Sequence, residues 1–114
     1  MASVLLVEDE TLIRMMISDM LVELGHTVAG EAGDLRTGLT LASSAGIDVA
    51  ILDVRLGANS SEPNADVLRT RNIPFVFATG YGADGVPAGY SEHPALCKPF
   101  RLEELERCLL ALKG

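Results

Sequence analysis

The amino-acid sequence predicts an α/β domain in which helices cover both faces of a parallel β-sheet. Short apolar or β-branched runs alternate along the chain with longer stretches in which apolar residues keep a helical spacing. Several of the short runs are apolar at every position, as buried parallel strands are. The 114 residues suffice for one core, and no linker, repeat or low-complexity stretch divides them. We therefore expect a single domain over residues 1–114.

The first half of the chain predicts two strand–helix units followed by a third strand. Apolar residues spaced three or four apart predict the first helix, which Gly25 ends. Asp34 is the expected N-cap of the second helix, and Gly46 closes it. The expected strands are residues 4–7, 27–31 and 49–52, and the expected helices are residues 11–24 and 35–45. The apolar residues that keep a helical spacing there are Leu12, Ile13, Met16, Met20, Leu21 and Leu24. The methionines Met15, Met16 and Met20 are expected to fill gaps in the core.

The second half predicts a loop, a helix, two strands and a last helix. A loop over residues 57–62 precedes Pro63, which suits the first turn of a helix continuing to about residue 71. Between the two strands, residues 80–94 contain four glycines and two prolines, which disfavour a long helix. Short turns around residues 84–90 in a mobile segment are expected there. The strands are residues 75–78 and 95–97, and the last helix covers about 102–112.

Composition excludes several classes of protein. The net charge of −7 opposes binding to nucleic-acid phosphates. No apolar run approaches the roughly 18 residues that a membrane span needs, and the start of the sequence lacks the features of a signal peptide. We expect a soluble, cytoplasmic protein. The two cysteines, Cys97 and Cys108, lie in apolar stretches and are interpreted as small core residues.

Polar side chains stand at the end of four of the five predicted strands. Glu8 and Asp9 follow the first strand, Asp53 ends the third, Thr79 ends the fourth and Lys98 follows the fifth. Ligands of open parallel sheets bind at the carboxyl ends of the strands, so these side chains are expected to meet. Three carboxylates brought together repel one another unless a cation lies among them, and oxygen ligands favour a hard ion such as magnesium.

Each of these residues also has a simpler interpretation when it is taken alone. Glu8 and Asp9 could cap the following helix, and Asp53 could be an ordinary loop acid. Thr79 could belong only to a turn, and Lys98 could be a solvated lysine before a helix. Their joint occurrence at successive strand ends is what favours a functional site.

Four segments, VLLVEDE, ILDVRL, FATGY and CKPF, resemble in order and interval the receiver domains of two-component response regulators. The resemblance covers essentially the whole chain. It implies a flavodoxin-like (CheY-like) doubly wound sheet of five parallel strands in the order 2-1-3-4-5, with a short or irregular fourth helix. The stretch IPFVFATGYG resembles a narrower branch, the mostly stand-alone alphaproteobacterial receivers with a PFxFATGY motif.

The resemblance also implies a chemistry. Asp53 would accept a phosphoryl group from a phosphohistidine on a histidine kinase or phosphotransfer protein. Lys98 and Thr79 would contact the phosphoryl oxygens. The magnesium ligands implied are Glu8, Asp9, Asp53 and the backbone carbonyl of Arg55. Such a protein signals rather than acting as an enzyme on external substrates, and a downstream protein target is a further expected partner.

One position departs from the family pattern. Many receivers carry an aromatic switch residue three positions before the lysine, and Ala95 stands there in this chain. We therefore expect the readout to run through the Gly-rich segment after Thr79, with Tyr81 or Tyr90. Tyr81 could cover the acyl phosphate and slow its hydrolysis, or it could be a surface tyrosine, and the sequence leaves both open.

The leading interpretation is a single-domain response regulator, acting as a phosphate sink or as a messenger. One alternative is a receiver domain cut from a hybrid histidine kinase or a larger regulator. Another is a small magnesium-dependent aspartyl phosphohydrolase. Against the hydrolase, Arg55 occupies the position two residues after Asp53 at which a second acid would be needed.

Overall fold

A five-stranded parallel sheet forms the centre of the computed structural model, which describes residues 2–44, 46–80, 85–91 and 93–113. The strands are β1 (Ser3–Val7), β2 (Thr27–Ala32), β3 (Val49–Asp53), β4 (Arg55–Leu56), β5 (Asn59–Ser60), β6 (Phe75–Thr79) and β7 (Ala95–Cys97). The helices are α1 (Thr11–Glu23), α2 (Leu35–Ala42), α3 (Glu62–Thr70) and α4 (Leu102–Lys113). No helix among the described residues is long and apolar enough to cross a membrane.

The sheet has the order β2-β1-β3-β6-β7, and all neighbouring strands in it run parallel. This confirms the predicted order 2-1-3-4-5, since β6 and β7 are the fourth and fifth strands of the sheet. β4 and β5 form a separate antiparallel hairpin, where the sequence predicted only a loop. Gly57, the first of the two turn residues, has φ +64°, and a positive φ at that position is what a type II′ hairpin turn needs.

Alternate residues of each strand face opposite sides of the sheet and build two separate apolar clusters. Leu5 of β1 and Phe77 of β6 belong to the cluster that α2 and α3 cover. Leu6 and Val76 belong to the cluster that α1 and α4 cover. The three central strands β1, β3 and β6 are buried on both faces and are therefore almost entirely apolar, which is why the sequence predicted them. The edge strands β2 and β7 are partly exposed.

Helix α1 begins and ends close to the predicted positions, but its buried face differs from the prediction. Ile17 and Leu21 face the sheet, whereas Leu12 is 76% exposed and Met16 is 54% exposed. Apolar residues occur around most of this helix, so their spacing alone did not identify the face toward the core. Met15 is 55% exposed as well, so the expectation that Met15 and Met16 fill gaps in the core is wrong.

Helix α2 begins as predicted and ends earlier than predicted. The Asp34 carboxylate accepts a hydrogen bond from the Thr37 N–H at 2.7 Å, which confirms the N-cap. The helix ends at Ala42 rather than near residue 45.

Helices α2 and α3 pack closely at Gly38. A Cβ atom at this glycine would lie 2.8 Å from Nδ2 and 3.0 Å from Oδ1 of Asn64, a fully buried residue of α3. The absence of a side chain at Gly38 is therefore what permits this helix–helix distance.

We expect Gly38→Ala to destabilise the protein by about 1–3 kcal/mol, because the added methyl group collides with the Asn64 amide. In an Asn64→Ala background the same change should stabilise by up to about 1 kcal/mol, since alanine is the better helix former. Urea unfolding of the two single variants and the double variant measures both effects. Equal effects of Gly38→Ala in the two backgrounds would contradict the packing described here.

The connection between β6 and β7 contains a 3-10 turn over Ala88–Tyr90. Within the described part of that connection there is no α-helix, as predicted. Residues 81–84, which include Tyr81 and the start of the predicted turn region, lie outside the described residues.

The two cysteines differ in exposure, so the prediction that both are core residues is wrong for Cys97. Cys97 ends β7 and is exposed, whereas Cys108 on α4 is half-buried. β7 is an edge strand three residues long, and its two end residues are exposed while Leu96 between them is buried. Burial raises the pKa of the Cys108 thiol, which lowers its thiolate fraction.

In the native protein we expect Cys97 to react with an aromatic disulfide reagent and Cys108 to react on the order of tenfold more slowly, because burial raises the pKa of the Cys108 thiol and limits access to it. Absorbance at the released thiolate's maximum follows the two phases. Cys97→Ser should remove the fast phase and Cys108→Ser the slow one. Loss of the fast phase in Cys108→Ser instead would refute this assignment.

Candidate functional site

The carboxyl edge of the sheet brings three acids together. Glu8 and Asp9 follow β1, and Asp53 ends β3, the strand that pairs directly with β1. One carboxylate oxygen of each lies within 4.8 Å of the others. The predicted meeting of these side chains is thus observed.

Lys98 completes this group from the end of β7. Its Nζ donates to Glu8 Oε1 at 3.0 Å and to Asp53 Oδ1 at 3.2 Å, and its side chain is only 15% exposed. Its backbone N–H donates to the Thr79 carbonyl at 2.8 Å, and the Lys98–Pro99 peptide bond is cis. Lys98 is therefore not the solvated lysine of the simpler interpretation.

Every polar group of Glu8 has a hydrogen-bond partner. Its side chain is 1% exposed, and Oε2 accepts from the Glu10 N–H at 3.1 Å while Oε1 accepts from Lys98. Its backbone N–H donates to the Ala32 carbonyl at 2.9 Å. Glu10 is the N-cap of α1 and makes no side-chain capping bond, so among the acids before the helix it is Glu8 that accepts from a backbone N–H at the helix start.

Asp9 is fixed by the β4–β5 hairpin. The Gly57 N–H donates to Asp9 Oδ2 at 2.9 Å, across 48 residues of sequence. Burial works to raise the pKa of Asp9, but the Gly57 N–H and hydrogen bonds shared with Asp53 and Glu8 outweigh it and lower that pKa. In the sequence, the only signal of this role is a glycine in the segment after Asp53.

The three carboxylates of Glu8, Asp9 and Asp53 carry more negative charge than the single positive charge of Lys98 can neutralise. Burial first, and then the hydrogen bond and charge of Glu8, raise the pKa of Asp53 to about 7, and the charge of Lys98 offsets only part of this rise. Burial opposes the protonated form of Lys98, but its bond to Glu8 and the charge of Asp53 raise its pKa overall. A site of three carboxylates with a surplus of negative charge fits a hard divalent cation.

An open groove runs from this site along one side of α1. Asp9, Asp53 and Lys98 line its polar end, and Ile13, Met16 and Phe100 line its apolar part. A partner that reaches Asp53 would therefore also contact apolar side chains.

The chain is similar to proteins whose structures are known. SdrG from Sphingomonas melonis Fr1 shares 42% identity over 100% of this chain and 98% of its own, with a TM-score of 0.89. A second SdrG structure, described as a BeF3-activated conformation, gives a TM-score of 0.84. The receiver domain of the sensor histidine kinase PA1611 from Pseudomonas aeruginosa PAO1, with magnesium in its active-site cleft, shares 26% identity over 97% of this chain and 96% of its own, with a TM-score of 0.80.

The chain is a receiver domain of the response-regulator family. No protein-family model matches it. The transcriptional regulatory protein PdtaR from Mycobacterium tuberculosis shares 33% identity over 106 residues, which cover 90% of this chain. The receiver domain spans about half the length of this curated relative, 52% of it. Response regulators are the signalling components of two-component systems.

The remaining predicted site residues of this receiver domain lie in different environments. Thr79 ends β6 and is buried beside the acids, in the wall of the groove. Arg55 begins β4 with an exposed side chain, and the role of its carbonyl stays a prediction. Ala95 is exposed and pairs with Phe77 in the sheet. Tyr81 lies outside the described residues.

Tyr90 lies in the core beneath α3. Its ring packs edge-on against Phe75 and Phe77, with centroid distances of 5.6 Å and 5.7 Å. Its hydroxyl donates to Asp66 on α3, and the Arg69 guanidinium lies 5.2 Å from its ring centroid. Tyr90 thus anchors the β6–β7 connection to α3, and its predicted part in the readout stays a prediction.

Burial first, and then the bond to Asp66 and that residue's charge, raise the pKa of Tyr90 to about 12. The unfolded chain releases the phenolic proton near pH 10, so this contribution to stability is complete below pH 10 and is lost as the pH rises toward 12.

We expect Tyr90→Phe to reduce the free energy of unfolding by about 1 kcal/mol near pH 8, because one hydrogen bond is lost. The difference from wild type should shrink between pH 10 and pH 12. Urea unfolding monitored by circular dichroism at several pH values measures it. If the two proteins keep a constant difference up to pH 12, the buried, hydrogen-bonded phenol assigned to Tyr90 is wrong.

Proposed function

We propose that this receiver domain accepts a phosphoryl group on Asp53 from a phosphohistidine of a histidine kinase or phosphotransfer protein. The observation that carries the proposal is a buried carboxylate at the carboxyl edge of the sheet, 3.2 Å from the Lys98 ammonium and grouped with two further acids. The groove beside it gives a partner access to this carboxylate.

The acids would hold a magnesium ion. The proposed ligands are the carboxylates of Glu8, Asp9 and Asp53 and the backbone carbonyl of Arg55. Their donor atoms are all oxygen, as this ion prefers, and the surplus negative charge around Asp53 supports a cation there. When bound, the ion would neutralise charge on the phosphoryl oxygens during transfer. The magnesium in the PA1611 receiver domain supports the same assignment.

In the transfer step, an Asp53 carboxylate oxygen attacks the phosphorus atom in line with the leaving nitrogen. The O–P bond forms while the N–P bond breaks, and the imidazole leaves with the electron pair of that bond and takes up a proton. Lys98 would hold one phosphoryl oxygen, since its ammonium already lies 3.2 Å from Asp53 Oδ1. The Thr79 hydroxyl would bond another phosphoryl oxygen.

The proposed biological setting is a cytoplasmic, single-domain response regulator over residues 1–114. A histidine kinase or phosphotransfer protein would supply the phosphoryl group, and a downstream protein would read it. Readout would run through the segment after Thr79, because Ala95 offers no aromatic ring to rotate.

Incubation with magnesium and acetyl phosphate should add one phosphoryl group to the wild type and none to Asp53→Asn, because the amide is a poor nucleophile. Lys98→Met should slow the reaction on the order of 100-fold, since one charged contact to the transferred group is lost. Intact-mass measurement over time follows both. Asp19→Asn, an exposed acid on α1, is the matched control and should behave as wild type.

A phosphoryl group found on Asp53→Asn would refute Asp53 as the acceptor. Sustained hydrolysis of external phosphoesters without an adduct would favour the phosphohydrolase instead.

A further inference from the structure

Arg14 on α1 holds the backbone of the acidic site. Its Nη1 donates to the carbonyl oxygen of Glu8 at 2.8 Å, and its Nε lies 3.6 Å from Glu31 Oε1 on β2. The side chain is largely buried, at 21% exposed, between α1 and β2. The bond to Glu8 is charge-assisted and is therefore stronger than one between neutral groups.

The carbonyl that Arg14 binds belongs to the peptide unit between Glu8 and Asp9. This unit is planar, so fixing its carbonyl also fixes the directions in which the chain leaves toward both residues. The N–H on the other side of Glu8 is held by the Ala32 carbonyl at 2.9 Å. Two of the three clustered carboxylates thus belong to the residues on either side of one peptide unit, whose carbonyl Arg14 binds.

Gly33, which directly follows β2, makes room for this arrangement. A Cβ atom there would lie 2.7 Å from Arg14 Nη1 and 3.6 Å from its Cζ. The nearest atoms belong to the far end of a flexible side chain, so an alanine would displace the guanidinium rather than the backbone. Gly33→Ala therefore moves Arg14 off the Glu8 carbonyl without changing any charge.

We propose that Arg14 is a positioning residue for the cation site, acting through the Glu8–Asp9 peptide without touching the ion or the phosphoryl group. The inference rests on the proposed function. The ion pair between Arg14 and Glu31 contributes little to this positioning, because the Glu31 side chain is 42% exposed and solvent-exposed ion pairs are weak.

The test is magnesium affinity, measured by calorimetric titration of the full chain with magnesium chloride. Arg14→Gln should bind roughly 10- to 100-fold more weakly than wild type, the usual effect of losing a group that orients metal ligands. Gly33→Ala should weaken binding in the same direction, and Arg14→Lys, which retains a donor, should recover part of the loss. Glu31→Gln is the matched control, and its affinity should stay near that of wild type.

A second readout separates positioning from general damage to the fold. At saturating magnesium the rate of phosphoryl transfer from acetyl phosphate should return close to the wild-type rate in Arg14→Gln, because mass action restores full occupancy of the weakened site. Urea unfolding of Gly33→Ala should show a smaller loss of stability than Gly38→Ala.

Wild-type magnesium affinity in both Arg14→Gln and Gly33→Ala would overturn the positioning role while leaving Asp53 phosphorylation intact. An equal loss in Glu31→Gln would assign the effect to the ion pair and would also overturn it. If Arg14→Gln does not fold, Gly33→Ala decides alone. Absence of both magnesium binding and the phosphoryl adduct in wild type would instead refute the proposed function.

Discussion

The ammonium group of Lys98 is the contact on which the functional edge of this domain depends. It lies between Glu8 and Asp53 and joins positions 90 and 45 residues away in the sequence. Burying a carboxylate is costly unless a charged or hydrogen-bonding partner accompanies it. The last, three-residue strand of the sheet is therefore needed for more than its small apolar contribution, because it delivers the positive charge that lets the acids be buried together.

The architecture could be predicted from the sequence because both faces of the sheet are covered. The central strands β1, β3 and β6 bury both faces and are apolar at nearly every position, and glycines such as Gly25 mark where helices end. The wrong predictions concern residues whose exposure depends on how the elements pack and not on the spacing of apolar residues. Helix α1 carries more apolar residues than its contact with the sheet uses, so Leu12 and Met16 face outward. Cys97 stands at the exposed end of a short edge strand.

The side chains that form the acidic site could be predicted from the sequence, but the hydrogen bonds that hold them in place could not. Glu8, Asp9, Asp53 and Lys98 meet because the carboxyl ends of parallel strands share one edge of the sheet. The contacts that hold these side chains in place involve backbone groups. The identity of a residue does not reveal which partner binds the backbone carbonyl or N–H of another residue. No spacing rule links Arg14 to the Glu8 carbonyl, since that bond follows only from how α1 packs on β2.

These supports divide the three acids into two kinds. Glu8 and Asp9 each accept a hydrogen bond from a backbone N–H, and in the proposal above Arg14 holds the peptide that joins them, although Glu8 also shares the Lys98 ammonium with Asp53. The side chain of Asp53 bonds to Lys98, and burial and the neighbouring Glu8 raise its pKa by more than the charge of Lys98 lowers it. In the proposed function Asp53 is both the nucleophile and a magnesium ligand, so one of its contacts must change as the new bond forms, whereas Glu8 and Asp9 serve as ligands alone. The distribution of rigid and exchangeable contacts in this domain matches that division of roles.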